Sequence, residues 1–595
     1  MINQTKSKKV ILLYIVLMLG FLIFLGDMFK NATISRQNPS LFTAQTLQAE
    51  RGSIISADGY SVATTAKLYK AVVNRSFIDP KKLTLFVELF SIYSGMSTKE
   101  IYTKLSAKKR HITLSNSISS KNAQYLKALS HELVKLGVFI KKKNRRGVYI
   151  RQGLDIIEHG EERVYPFGNL LTPLIGYPRV LTENNYRKIH GIKGIEKFYD
   201  EDLSSDQNGR LRSKRDVNSY LILNNEATNT EVEHGLNVKL TIPLTLQTRI
   251  EKIVDKMKKK LDAKEIMVVI MNSKNGNILS LASSNRYLPK SIKRSDYGSL
   301  NTSAIEYAFE IGSVMKPITF ALLLEDRLIN PYDLVNGHNG KFKVGRKTIT
   351  DEHKFDWLSA ENVIVHSSNI GIAQLAQKLN AIEYSDGFQR FGFTHKTEID
   401  LPYEKRGSIP TLNQLKSETY KATTSYGYGM TATLMQLVKA YSVFNNGGKI
   451  LTPKVTSSLF DDKNNIYPIE TPDPVEVISP RTANQMKKIL IKTVNQGTGI
   501  GTRTEGLEVG GKTGTAHIAR KGRYINEYHT SFIGFANDLK RRYIIGVTVV
   551  EPQTQHFASL TAVPVFKNVV DTLVQEGYLH KSKKFKLPPY VKLEH

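Results

Sequence analysis

The chain is predicted to carry an N-terminal transmembrane helix, then a mixed α/β region, then an α+β domain in which an antiparallel five-stranded sheet is packed by helices. Three observations lead there. Val10 to Gly26 is an unbroken run of uncharged, mostly apolar residues. Residues 31 to about 235 are polar and basic, with short strand-like and helix-like pieces. From Leu236 onward the apolar segments lengthen and glycines punctuate them, with strands towards both ends and helices between.

The first element follows from its length. Apolar character resumes at Met28 and Phe29 after Asp27, and Val10 to Phe29 would span about 30 Å as a helix, one bilayer hydrocarbon core. Lys6, Lys8 and Lys9 precede the run with no acidic residue among them, which puts residues 1–9 in the cytoplasm and everything after Phe29 outside. The rival reading is a cleaved signal peptide, which would have a shorter apolar region followed by a small-x-small site. This chain has Asp27-Met28-Phe29-Lys30 there, so residues 10–29 read as an uncleaved anchor. Hydropathy offers no second span.

The remainder must fold outside the membrane. With 595 residues, 41% hydrophobic and 23% charged, there is apolar surface for roughly two to four domains, and a disordered scaffold is excluded. The cysteine count of 0 excludes disulfides, thiolate metal sites, iron–sulfur clusters and cysteine nucleophiles, so covalent chemistry must use oxygen or nitrogen. A net charge of +30 favours anionic partners, but the compartment argues against nucleic acid. Within 30–235, the clusters Lys108-Lys109-Arg110 and Lys141-Lys142-Lys143-Asn144-Arg145-Arg146 read as solvated surface. Residues 236–577 form the expected second domain and 578–595 a basic C-terminal tail.

In that domain, Ile266 to Ile270 and Ile278 to Ala282 flank Asn275-Gly276, which accepts the positive φ of a tight turn and signals a hairpin. Leu507 to Ala516, Thr530 to Ala536 and Tyr543 to Val550 read as three further strands. Val314 to Leu324, Ile370 to Leu379, Leu434 to Phe444 and Val563 to Gln575 read as helices.

Ser313-Val314-Met315-Lys316 is a Ser-x-x-Lys tetrad at a helix start, with Gly312 before it and Pro317 after it. The i, i+3 spacing puts both side chains on one face, and the apolar continuation predicts a buried helix. A lysine desolvated enough to be neutral can take the serine proton and leave a nucleophile. Ser106-Ala107-Lys108-Lys109 fits the pattern without that context and reads as surface. Ser367-Ser368-Asn369 precedes another helix, where a hydroxyl and an amide can relay protons and hold a substrate amide, cap the helix from Ile370, or both. Lys512-Thr513-Gly514-Thr515 follows Gly510-Gly511 on a strand. Its edge can pair with an extended peptide while Lys512 and the threonine hydroxyls bind a carboxylate and the Thr515 N–H stabilises an oxyanion; taken alone, it reads as a β-bulge with an exposed lysine. His366 and His517 read as packing or surface residues. Asp351-Glu352-His353 lacks a second ligand pair at helical spacing, so no metal and no cofactor is expected.

The ordered set Ser-x-x-Lys, Ser-x-Asn and Lys-Thr-Gly resembles the signature of penicillin-binding proteins and serine β-lactamases. Glu310-Ile311-Gly312-Ser313, Tyr426-Gly427-Tyr428-Gly429 and Ser531-Phe532-Ile533-Gly534 resemble further landmarks of the transpeptidase domain. Arg51-Gly52-Ser53-Ile54 with Asp58-Gly59, Arg163-Val164-Tyr165-Pro166 and Gly194-Ile195-Glu196 resemble the pedestal of class B penicillin-binding proteins. Three residues at two places depart from that family: Ile311 stands where proline is usual, and Ser56 and Ala57 loosen the turn before Gly59.

The resemblance implies an elongated pedestal of the dimerisation type over 30–235, joined internally by Arg51 and Glu196, and a transpeptidase domain over 236–577. It implies a D,D-transpeptidase that cross-links peptidoglycan through a serine acyl-enzyme, with a D-alanyl-D-alanine carboxypeptidase side activity. Ser313 would be the nucleophile and Lys316 the base. Ser367 and Asn369 would pass protons and hold the donor, Lys512, Thr513, Gly514 and Thr515 would bind it, and the N–H groups of Ser313 and Thr515 would form the oxyanion hole. Stem peptides, β-lactams, a polytopic lipid II polymerase and other division proteins are the implied partners, on the outer side of a bacterial inner membrane. The approach from Asp27 to Arg51 and the stretch Ala71 to Pro80 resemble the septal type more than the elongation type. The rivals are an elongation-type enzyme, a secreted β-lactamase, and a non-enzymatic divisome scaffold or β-lactam sensor.

Overall fold

The computed structural model describes residues 2–33, 42–143, 149–150, 152–183, 186–214, 222, 227–520 and 522–588. The expected tail beyond Pro588, and Asn144, Arg145 and Arg146 of the second basic cluster, lie outside the described residues. The chain divides into two compact units, Met1–Ala49 with Asp206–Glu233, and Glu50–Ser205 with His234–His595.

In the first unit one helix runs Ile2–Thr33, and Ser7–Thr33 is long and apolar enough to cross a membrane. Its apolar side chains are exposed all round, as a lipid-facing helix requires. Among the described residues it is the one such helix. Phe42–Leu47, Gly209–Lys214 and Thr228–Thr230 form a small antiparallel sheet in the same unit.

The second unit holds two large sheets. The first is mixed and built on the long strand Ser61–Asn74, which pairs with Leu154–Val164, His111–Ser119 and Ile54–Ile55. Helices Leu83–Ser94 and Ser120–Lys135 cover it, burying Phe86, Phe90, Leu126 and Leu133 against Val73, Ile112 and Leu154. This sheet does not stop near residue 235. Asn237–Leu240 joins it parallel to Ile54–Ile55, and Thr456–Phe460 and Ile466–Pro468 extend it from the far end of the sequence. A side chain also bridges the two regions: Asp58 accepts from the N–H groups of Leu244 and Thr245 at 2.8 and 3.0 Å, capping the helix Leu244–Leu261 that begins after Pro243.

The second sheet is antiparallel throughout and has five strands: β1 Glu265–Asn272, β2 Ile278–Ser283, β3 Glu508–Arg520, β4 Arg523–Asn537 and β5 Arg542–Val550, in the order β2-β1-β5-β4-β3. Alternation in β1 serves two cores. Ile266, Val268 and Ile270 face helices Leu244–Leu261 and Ala562–Gln575, while Met267, Val269 and Met271 face the core around Lys316–Glu325 and Leu434–Asn445.

Three boundaries differ from the sequence reading. The expected helix from Val314 begins as a tight 3-10 turn over Gly312–Met315, and only from Lys316 is it α-helical. The helix expected over 370–379 runs Asn369–Ala376. β3 and β4 extend as a hairpin to Arg520 and Arg523, beyond the apolar core whose periodicity revealed them.

Candidate active site

Backbone contact places the tetrad against β3. Gly312 has φ +58°, a conformation glycine adopts readily. A Cβ there would stand 2.9 Å from the Thr515 carbonyl oxygen, and one on Gly514 would meet Val314 Cγ1 at 2.8 Å. These absent side chains let the turn carrying Ser313 lie directly on the Lys-Thr-Gly strand. Pro317 sits in the first turn of the following helix, whose residues Lys316 to Leu324 are all buried.

Lys316 is 0% exposed, and its Nζ donates to the Ser367 carbonyl at 2.5 Å and to Ser367 Oγ at 3.0 Å. Burial pushes its amine down to about 7, although Asp351 and Glu352 pull the other way. A lysine near pH 7 is neutral part of the time and can accept a proton. Ser367 presents both acceptors from a left-handed conformation, φ +61°, uncommon outside glycine. The helix cap in this motif is Ser368: its Oγ accepts from Gly371 N–H at 2.9 Å, and the helix starts at Asn369, one residue before the expected Ile370. Asn369 Nδ2 donates to the Thr350 carbonyl at 3.0 Å.

Lys512 is also 0% exposed, not the exposed lysine of an isolated bulge. Its Nζ donates to Thr513 O and Oγ1 at 3.2 and 3.3 Å, and burial, aided by the nearby Lys316 charge, holds its pKa well below the ordinary lysine value. Thr513 Oγ1 in turn donates to Thr498 Oγ1 at 2.7 Å. Ser313, Ser367, Asn369, Thr513 and Thr515 together line one cleft of about 430 Å³. A serine hydroxyl, a buried amine of lowered pKa and convergent hydroxyls and amides suit acyl transfer to and from serine.

Residues the sequence reading left aside also stand here. Asp351 accepts from Ser368 Oγ at 2.5 Å and from the N–H groups of Asn369 and Ile370 at 2.5 and 3.1 Å, so it fixes the start of the Ser-x-Asn helix. His366 and His517 both line the cleft, and the ring of His517 packs on Tyr528 with centroids 4.5 Å apart. Thr498 lies in Gly497-Thr498-Gly499, the one local hint that this loop approaches other backbone: a Cβ on Gly497 would stand 2.1 Å from the Val365 carbonyl oxygen. Asp351 has no local signal. Among the described residues no group of three His, Cys, Asp or Glu side chains is arranged to hold a metal.

Arg51 and Glu196 are not part of the cleft. Glu196, 0% exposed, takes Arg51 Nη2 at 2.9 Å and Arg163 Nε at 2.6 Å, and Arg51 also reaches Asp200 at 2.7 Å. The two guanidinium groups hold the Glu196 carboxyl below its ordinary range despite full burial. Ser106 and Lys108 are exposed beyond the helix Thr98–Leu105.

The family model of the penicillin binding protein transpeptidase domain matches residues 266–571, and that of the penicillin-binding protein dimerisation domain matches residues 46–240. Stage V sporulation protein D of Bacillus subtilis is 29% identical over 543 residues, covering 89% of this chain and 79% of its own. Peptidoglycan D,D-transpeptidase FtsI of Buchnera aphidicola is 26% identical over 588 residues, 96% of each chain. Among solved structures, penicillin binding protein 2X of Streptococcus thermophilus superposes with a TM-score of 0.73 at 20% identity, over 90% of this chain and 82% of that one. Penicillin binding protein 3 of Mycobacterium tuberculosis, complexed with aztreonam, does so with a TM-score of 0.65 at 21% identity, over 92% and 100%.

Proposed function

The chain belongs to the class B penicillin-binding proteins, with a dimerisation and a transpeptidase domain, and on that premise we propose that it cross-links peptidoglycan stem peptides through an acyl-enzyme on Ser313. One observation carries the assignment of residues: a fully buried Lys316, its amine lowered to about 7, in the helical turn that follows Ser313. Neutral Lys316 takes the Ser313 proton as Oγ attacks the penultimate D-alanine carbonyl. The negative oxygen that forms is held by the N–H groups of Ser313 and Thr515. Ser367, bonded to Lys316, and Asn369 hand the proton to the departing nitrogen, and D-alanine leaves as the C–N bond breaks. Thr513 and Thr515, with the Lys512 amine bonded to Thr513 behind them, hold the donor carboxylate. An amine of a second stem then takes the acyl group and Ser313 regains its proton. A β-lactam presents the same carbonyl and carboxylate and is trapped as a stable acyl-enzyme.

The helix Ser7–Thr33 anchors the chain in a bacterial inner membrane, and Lys8 and Lys9 support a cytoplasmic N-terminus with the catalytic domain on the other side. Arg51 and Glu196 hold the pedestal together. The septal role and the docking of a lipid II polymerase rest on resemblance to the septal type. Midcell localisation and filamentation on depletion would support them, and rounded cells with normal septa would assign the protein to elongation.

Fluorescent penicillin followed by denaturing electrophoresis tests the catalytic reading. Covalent labelling of the wild type and none of Ser313→Ala is expected. Continued labelling of the variant removes Ser313 from the role, and rapid repeated hydrolysis of penicillin makes the protein a β-lactamase.

A further inference from the structure

Beside the cleft that contains Ser313 lies a second cavity of about 450 Å³, and the two share Thr350, Asn369, Tyr428 and His517. A ligand seated in the second cavity therefore has a direct way to the nucleophile. Three tyrosines form part of its wall. Tyr426 and Tyr428 meet edge to face with centroids 5.8 Å apart, and Tyr428 and Tyr524 do so at 5.5 Å. Such faces attract a cation.

Two opposite charges flank these rings without cancelling. Glu310 Oε1 accepts from the Tyr524 hydroxyl at 3.1 Å and from Gly429 N–H at 2.9 Å, while its Oε2 is buried with no hydrogen-bond partner. Because Tyr524 gives its only hydrogen to a carboxylate, its oxygen keeps lone pairs for another donor, made more negative by that neighbour. Lys347 lines the same cavity from the strand Lys347–Thr350. Glu310 and Lys347 feel each other's field, yet among the described residues they form no ion pair. An acceptor for an ammonium and a free cation for a carboxylate thus occur together, next to the place where an acyl group would wait.

We propose that this cavity seats the acceptor strand by an amino-acid-type terminus, with its ammonium against Tyr524 and the tyrosine faces and the adjacent carboxylate against Lys347. The inference rests on the transpeptidase reading and adds the chemical class of the acceptor: an amine with a carboxylate on the same carbon rather than a plain alkylamine. In the transfer, the bound ammonium first loses one proton to solvent. The neutral nitrogen then attacks the acyl carbon, its second proton passes to Ser313 Oγ, and the ester C–O bond breaks as the amide C–N bond forms. Glu310 touches the acceptor only through Tyr524 and is a positioning residue.

The test uses full-length protein in detergent, a depsipeptide donor ending in D-alanyl-D-lactate, and two acceptors that differ only by the carboxylate beside the free amine: mono-N-acetyl-2,6-diaminopimelate and Nα-acetyl-lysine. Mass spectrometry reads the ratio of amide product to hydrolysed donor. Wild type should favour the carboxylate-bearing amine by about tenfold, the effect of one partly desolvated charge pair. Lys347→Met should erase that preference and Lys347→Arg should keep it, while Glu310→Gln and Tyr524→Phe should lower transfer to both acceptors. Penicillin labelling, which needs no acceptor, is measured in every variant. Labelling without acceptor preference in the wild type, or a preference that survives Lys347→Met, overturns the inference alone. Failure of penicillin to label the wild type overturns the transpeptidase reading and the inference with it.

Discussion

Replacing Lys316 by methionine should slow acylation severely and, below pH 7, leave the protein at least as stable. The amine sits fully buried with its pKa lowered from 10.5 to about 7. Because each pKa unit corresponds to about 1.4 kcal/mol, burying this lysine costs the fold on the order of 5 kcal/mol below pH 7. Methionine fills similar volume with no charge to desolvate. It forfeits the two hydrogen bonds to Ser367, about 1 kcal/mol each, and leaves a carbonyl unpaired, about 1–3 kcal/mol more. A net gain of about 0–2 kcal/mol remains. Between pH 7 and 10.5 the unfolded chain binds one more proton at this site than the folded chain, so wild-type stability rises with pH across that window. The advantage of the variant should therefore shrink over the same range. Denaturant unfolding of both proteins in detergent at pH 6, 8 and 10 measures it.

The same pKa sets the rate. Wild-type acylation by penicillin should rise about tenfold per pH unit below 7 and level off above, as the neutral fraction of Lys316 grows. Lys316→Met should lose about 10²–10⁴-fold at the plateau, the usual range for a general base. A variant less stable than wild type at pH 6, or an acylation rate flat from pH 5 to 8, would refute a neutral buried lysine as the proton acceptor.

Three further outcomes follow from the geometry. Glu196→Ala leaves Arg163 a buried cation without its carboxylate and Arg51 with Asp200 alone, and should cost about 3–5 kcal/mol in denaturant unfolding, while the folded fraction still takes fluorescent penicillin; a loss below about 1 kcal/mol rejects the network as structural. Asp351→Ala releases the Ser368 hydroxyl and two backbone N–H groups that hold Ser367 and Asn369 in place, and penicillin acylation measured by stopped-flow should slow by about 100-fold with circular dichroism unchanged. Gly312→Ala forces a methyl to within 2.9 Å of the Thr515 carbonyl at a φ that disfavours it by about 1–2 kcal/mol, and labelling should weaken even where the protein remains folded.

What could be read from the sequence was what the chain encodes locally. Ser313 and Lys316 are three residues apart at a helix start, so their shared face needs no knowledge of the rest of the molecule. The apolar run in β1 was equally plain, since a strand buried on both faces has no polar alternate to hide it. Asp351 escaped because its three contacts lie in Ser368, Asn369 and Ile370, reached only once the hairpin Lys341–Thr350 has folded across the helix start. Thr498 escaped for a similar reason: only the docking of its loop against Val365 brings it to Thr513. The outer part of the β3–β4 hairpin lies past the core, where burial no longer imposes a period of two, and Tyr524, in the wall of the second cavity, stands on it.

The sheet that runs from Pro178–Glu183 to Ile466–Pro468 has a consequence for biosynthesis. Asn237–Leu240 is an unprotected edge until Thr456–Phe460 arrives to pair with it. A chain synthesised from its N-terminus must therefore hold the pedestal unfinished while more than two hundred residues of the transpeptidase domain emerge. Pedestal and catalytic domain complete one another late, close to the same moment, and a ribosome stalled before residue 456 would leave a half-made sheet open to the wrong strand.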